Sequence, residues 1–169
     1  MTLASVLIRK LERRTGEPAH HLRRIHAAWP GGFWRLMLLM PLMGGPRHAP
    51  ARLFHLARLG AALREDCSTC VAIELRFAKA DGVDAGTLHQ AMKDRASLPA
   101  HERAAFDYGW HIAGAEPIPD EVDNQLRTRC GEAGFVELSI AATSARLFPA
   151  IKRGLGYAKT CDLKALEAA

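Results

Sequence analysis

Two cysteines three residues apart, Cys67 and Cys70, are the pair in this 169-residue chain whose type and spacing most directly support chemistry. On a helix, positions i and i+3 share a face, so the two sulfurs can come within bonding reach without unfolding the backbone. A cysteine in a helix's first turn also meets unpaired backbone N–H groups and the positive end of the helix dipole, both of which lower a thiol pKa. Reversible dithiol/disulfide cycling needs one thiolate to attack and a second to resolve. Three other readings of the pair stay open. It could be half of a zinc site, although no second CxxC or CxxH accompanies it and Cys130 and Cys161 stand alone. It could mark a thioredoxin-like domain, although the βαβ pattern that would flank it is missing. It could be two small core residues, since free cysteine is often buried.

The elements around the pair read as helices throughout. Apolar residues recur at helical spacing, and no alternating β-branched run is bounded by turn residues, which predicts an all-α fold in one domain. Leu3, Leu7 and Leu11 stripe a first helix over 2–14 that stops before Gly16. Pro18 suits the first turn of a second helix reaching Ala28, and Pro30-Gly31-Gly32 breaks the chain before a short apolar helix to Leu39. From Ala49 a helix of about four turns carries Leu53, Leu56, Ala57, Gly60 and Leu63 inward, and Asp66 is the expected N-cap of the helix over 67–80 that holds both cysteines. Asp84 caps a short helix to Lys93, Pro99 opens another up to Gly114, and Pro119-Asp120-Glu121 starts one ending near Cys130. A long last helix is expected over 135–154, with Val136, Ile140, Ala141, Leu147 and Ile151 inward, followed by a tail. This divides the chain into an N-terminal helical arm (1–48, a candidate subunit contact), a CxxC domain (49–155) and a C-terminal tail (156–169).

The CxxC neighbourhood resembles a known family. The stretch Asp66-Cys67-Ser68-Thr69-Cys70-Val71-Ala72-Ile73-Glu74, followed by Ala78-Lys79-Ala80-Asp81-Gly82-Val83, is similar to the carboxymuconolactone decarboxylase superfamily and, within it, to the AhpD-like alkylhydroperoxidases. Glu102-Arg103-Ala104-Ala105-Phe106-Asp107-Tyr108 and Phe135-Val136-Glu137-Leu138, with Arg146 downstream, look like that family's next two helices. The likeness covers residues 49–155 and leaves out the arm. It implies an AhpD-like helical domain, assembly into trimers or hexamers, and a redox-active CxxC in which the second cysteine, here Cys70, attacks peroxide and the first, Cys67, resolves it. The family pattern also places a Glu twelve residues before the first cysteine, a His between the cysteines and a His four after the second. This chain has His55, Thr69 and Glu74 there. The middle histidine is lost, and the outer two residues look exchanged. A hydrogen-bonded Glu74–His55 pair could still pass a proton in either order. A carboxylate beside Cys70 would raise its thiol pKa where an imidazolium would lower it.

The rest of the sequence supports no competing chemistry. His20, His21 and His26 lack the spacing of metal ligands, and Trp110-His111 reads as packing. Ser68 and Thr69 lack a Ser-His-Asp logic, Cys130 and Cys161 read as incidental thiols, and no Gly-rich loop follows a strand. Glu137 reads as a structural partner for Arg146 or a neighbouring helix. Met37, Met40, Met43, Phe33 and Trp34 form an apolar cluster fit for subunit contact. Residues 1–64 carry a net charge of +9 and the remainder −4, which favours contact between the basic third and the acidic rest over nucleic-acid binding. The longest apolar run, 33–43, is too short to cross a membrane and is interrupted by Arg35 and Pro41. Arg9, Lys10, Arg13 and Arg14 follow rather than precede the first apolar residues, so a cytoplasmic, reducing setting is expected.

The function expected is that of a thiol-dependent peroxidase or disulfide oxidoreductase: Cys70, Cys67, Glu74 and His55 as site residues, a hydroperoxide as substrate, a dithiol protein or small thiol as reductant, a homo-oligomeric assembly, no cofactor, no metal, no nucleic acid and no membrane. Two alternatives are a non-redox decarboxylase-like enzyme acting on a small lactone, which would not need both cysteines, and a non-catalytic assembly protein, favoured by the missing histidine at Thr69.

Overall fold

The computed structural model describes residues 2–40 and 44–157, and every regular element among them is helical. Three helices form the arm: α1 (Leu3–Thr15), α2 (His20–Ala28) and α3 (Pro30–Leu39). Thr2 caps α1 through its side chain, and Gly16, at φ +75°, ends it in the left-handed region. Helix α2 starts at His20, so Pro18 lies just before it rather than in its first turn. Pro30 is the first residue of α3, a position where its missing N–H costs nothing, and the Pro-Gly-Gly stretch therefore begins the helix instead of breaking it.

Helix α4 (Ala51–Arg64) is the centre of the molecule. Its residues from Leu53 to Ala62 are all buried, not only the expected apolar stripe, because α5 (Ser68–Ala80), α7 (Ala100–Gly114) and α8 (Asp120–Ala145) pack around it. The approach of α4 to α7 is set by two glycines. A Cβ on Gly60 would lie 2.1 Å from the Phe106 carbonyl oxygen, and one on Gly109 would lie 1.8 Å from that of Ala57. Backbone thus meets backbone, with Leu56, Phe106 and Leu138 sealed in the surrounding core. Helix α6 (Ala85–Lys93) begins at Asp84, whose carboxylate accepts the Thr87 N–H as the sequence leads one to expect. A 3-10 turn (Arg95–Ser97) links it to α7.

Three expectations are corrected. The N-cap of α5 is Cys67 rather than Asp66, which takes a left-handed φ of +51° in the turn from α4. The long last helix is broken at Arg146 into α8 and α9 (Leu147–Gly154); Pro149 lacks the N–H and crowds the carbonyl that a continuous helix would use. Within α8 the buried residues include Phe135, Leu138, Ala141, Ala142 and Ala145, which leaves Val136 47 % and Ile140 53 % exposed on the outer face. Helix α8 also kinks at Gly131 (φ +66°, ψ 177°), close to the expected helix end at Cys130.

A second apolar cluster joins the arm to α9. Ala4, Ile8, Leu22, Phe33, Leu36 and Met37 are its buried members, with Leu147, Phe148 and Ile151 packed against them. The last helix therefore turns away from the α4 core and completes the arm. Several basic residues of the first 64 pair with acids of the remainder inside the chain, among them Arg52 with Asp84 and Glu102, and Arg64 with Glu116. No helix among the described residues is long and apolar enough to cross a membrane. Met43 and Cys161, like the tail from 158 onward, lie outside the described residues.

The close α4–α7 approach makes a definite demand. Gly109→Ala should lower unfolding stability by about 1–3 kcal/mol, since the helices must separate to admit a methyl group; a denaturant midpoint equal to wild type would contradict the packing.

Candidate active site

The turn after α4 brings the chain straight into α5, so the cysteine pair sits at a helix N-terminus. Cys67 is the N-cap and Cys70 the third helical residue; the N–H groups of Cys70 and Val71 close the first turn on the Cys67 carbonyl. The sulfurs share a hydrogen bond at 2.6 Å, and both cysteines are free thiols. Cys67 is fully buried and Cys70 is 6 % exposed. Of the two, Cys70 lines a cavity of about 350 Å³ between the arm, α4, α5 and α9.

A residue from the far end of the chain completes this site. Lys152, on α9 and only 5 % exposed, donates from Nζ to Thr69 Oγ1 at 2.8 Å and lies 3.6 Å from Cys70 Sγ. With its oxygen occupied as acceptor, the Thr69 hydroxyl keeps its own hydrogen for Cys67 Sγ, 3.5 Å away. No carboxylate of the described residues forms an ion pair with Lys152, so the sulfurs are the groups placed to balance its charge. Helix α9 is held against the α4–α5 turn by Glu65. That carboxylate accepts from Arg146 Nε at 2.8 Å and Arg153 Nη2 at 3.0 Å, and Arg153 also donates to the Glu65 carbonyl. Two arginines flanking Lys152 in α9 thus clamp the residue that precedes the cysteine turn.

The electrostatics follow from this geometry. The Cys67 thiol is lowered to about 6, first by its hydrogen bond with Cys70, with Thr69 and the Lys152 charge adding to the effect against burial. Cys70 is pushed up, first by the same hydrogen bond and then by burial, while Lys152 pulls it down. Two sulfurs this close hold one proton between them; the anion rests on Cys67 and the thiol on Cys70. His21, buried in the same cavity, is lowered to about 4 by burial and by the Lys152 charge, so it is neutral at physiological pH.

His55 and Glu74 both line the cavity with Cys70, but they do not bond to each other. Glu74 receives both arms of the buried Arg58 guanidinium, with Nε to Oε2 at 2.7 Å. Arg58 spends its remaining nitrogen on Ser144 Oγ at 2.9 Å. His55 Nε2 bonds Asp81 Oδ2 at 2.8 Å, and its buried Nδ1 has no partner. The expected Glu–His relay is corrected here: each member is drawn to a closer opposite partner that spacing did not reveal. Glu74 therefore leaves Cys70 to the influence of Lys152.

Sequence reasoning missed Lys152 and Arg58. An arginine within the apolar run of α4 was a usable signal for Arg58. Nothing local marks Lys152, which meets Cys70 across 82 residues of chain. Glu137, expected to pair with Arg146, instead accepts the N–H groups of Arg47, His48 and Ala49 and so secures the entry into α4. Cys130, half-buried and raised by burial, packs against the α4 core, away from the cavity. No cluster of metal-ligating side chains occurs among the described residues. Comparison with protein-family models, curated proteins and solved structures gave no match.

Two measurements check this arrangement. The rate of thiol alkylation should rise with pH through a midpoint near 6, because the reactive thiolate forms as the pair loses its first proton. Lys152→Met removes a charge that favours the anion, so the midpoint must move upward; an unmoved profile would remove Lys152 from the site. Arg58→Ala should cost about 3–5 kcal/mol of stability by leaving a carboxylate buried without its cation, and chemical denaturation reads that loss directly.

Proposed function

We propose that this chain is a thiol-dependent peroxidase of AhpD-like type, reducing hydroperoxides through a Cys67–Cys70 dithiol/disulfide cycle and re-reduced by a dithiol partner. The observation that carries the reading is a pair of sulfurs 2.6 Å apart with a buried ammonium 3.6 Å from the one that meets a cavity. Both alternatives lack such support: a lactone decarboxylase has no use for the sulfur pair, and an assembly protein has no use for a buried cation beside it.

Access supports attack by Cys70, which lines the cavity, and resolution by Cys67, which is sealed behind it. The proton shared by the sulfurs passes to Cys67, and the Cys70 thiolate attacks one peroxide oxygen. The S–O bond forms, the O–O bond breaks, and the leaving alkoxide takes a proton from the Lys152 ammonium as the alcohol departs. The neutral amine recovers a proton from Cys67 by way of Thr69. Cys67 thiolate then attacks the Cys70 sulfenic acid, the S–S bond forms, and hydroxide leaves as water with a proton that solvent restores. Thr69, at the place of the missing histidine, thus serves as a hydroxyl bridge between lysine and sulfur.

Glu74 and His55 enter as positioning residues. Glu74 fixes Arg58 beside Ser144 of α8, and His55 with Asp81 ties α4 to the end of α5. Exposed apolar side chains on the arm and α8, including Trp29, Leu38, Val136 and Ile140, support assembly with further copies.

Thiol titration tests the reading. One equivalent of an alkyl hydroperoxide should consume two thiols in wild type and join Cys67 to Cys70. Cys67→Ser should stop at a sulfenic acid on Cys70 that dimedone traps, and Cys70→Ser should lose the rapid reaction. Unreactive thiols in the folded wild type would discard the peroxidase, and a sulfenic acid trapped at Cys67 would reverse the two roles.

A further inference from the structure

The balance of charge at Lys152 changes when the sulfurs bond to each other. In the reduced protein the buried ammonium has the anion of the sulfur pair as its counter-charge: Cys70 Sγ lies 3.6 Å away and is hydrogen-bonded to the Cys67 sulfur that carries the charge, and no carboxylate of the described residues pairs with the lysine. Oxidation of the pair removes two electrons and the remaining proton, and the resulting disulfide carries no charge. Among the described residues the ammonium then keeps the Thr69 hydroxyl as its hydrogen-bond acceptor and has no charged partner. An isolated buried cation is costly, so the oxidised site favours an incoming anion.

The cavity's other groups say what kind of anion it takes. Two of its three acids are engaged elsewhere, Glu74 by Arg58 and Asp81 by His55, and the third, Glu17, stands on the arm just before α2. Its walls are largely apolar, including Leu11, Leu22, Phe54, Phe77 and Phe148, contributed by arm and core alike. Arg14 and Arg76 add positive charge to the lining. A volume of about 350 Å³ admits a hydrocarbon chain but not a large ring system.

We infer that the cavity is a redox-gated site for a carboxylate with an apolar tail, whose head group replaces the anionic sulfur pair as counter-charge to Lys152 once the Cys67–Cys70 disulfide has formed. This rests on the dithiol/disulfide reading for its natural trigger, though not for the anion site itself. Because the ligand prefers one redox state, linkage requires that it also stabilise that state. A carboxylate-bearing molecule therefore holds the protein oxidised and slows re-reduction by the dithiol partner.

Octanoate is the probe, with octanol as its uncharged counterpart, and calorimetric titration gives the affinities. Octanoate should bind diamide-oxidised wild type at least ten-fold more tightly than the dithiothreitol-reduced protein, whereas octanol should bind both alike. A ten-fold preference would lower the reduction potential of the pair by about 30 mV at saturating octanoate. The Cys67→Ser/Cys70→Ser double variant removes the thiolate without any redox step, so it should bind octanoate as the oxidised protein does. Adding Lys152→Met to that double variant should abolish the binding. Equal octanoate affinity in reduced and oxidised wild type, or binding to the double variant that survives loss of Lys152, would overturn the inference. If diamide leaves both thiols free, the peroxidase reading fails, while the double variant still decides the anion site.

Discussion

A lysine ammonium buried beside two sulfurs is the constraint around which the rest of this protein is arranged. Lys152 is 5 % exposed, donates to Thr69 and reaches toward Cys70. Burying such a cation carries a penalty of several kcal/mol unless a negative group accompanies it. Here the group at hand is a thiol pair that can itself become negative, which makes the cost of the lysine a bias toward thiolate. A helix N-terminus under the sulfurs acts in the same direction. Reactivity and stability are thus linked through one contact.

Holding that contact requires precision in parts of the chain that never touch sulfur. Glu65 ends α4 immediately before the cysteine turn and is gripped by Arg146 and Arg153 from either side of Lys152 on α9. Arg58 and Glu74 lock α4 to α5 with a two-pronged buried ion pair, and Ser144 extends that lock to α8. The glycine-mediated approach of α4 and α7 leaves α4 little freedom to shift in response. The arm closes the remaining side: Leu11 and Leu22 wall the cavity, while its apolar cluster binds the α9 residues Leu147, Phe148 and Ile151. An isolated CxxC helix would offer two exposed thiols; this surrounding leaves one sulfur on the cavity and seals the other.

Much of this is legible in the sequence. Helical periodicity, the Asp84 cap and the Gly16 stop announced the elements, and the three-residue cysteine spacing announced the sulfur pair. Local signals failed where the choice depended on a partner elsewhere. Glu74 and His55, expected to pair with each other, line one cavity, yet their hydrogen bonds go to Arg58 and Asp81, because a buried carboxylate takes the nearest guanidinium. Val136 and Ile140 fit a helical stripe as well as Phe135 and Leu138 do; only the position of α4 decided which stripe faces inward. Thr69 read as a lost histidine until Lys152 arrived beside it.

By itself the sequence determined the helical class, the order of the elements and the reach of Cys67 to Cys70, because periodicity, capping and i, i+3 geometry act over a few residues. Tertiary structure alone decided which sulfur meets the cavity, which cation stands beside it and which partners Glu74 and His55 keep. Those outcomes depend on burial and on contacts across 16 to 82 residues of chain, as between Arg58 and Glu74 or Lys152 and Cys70. Charge in a low-dielectric interior is settled by whatever the whole fold brings within a few ångströms, and no local pattern encodes that distance.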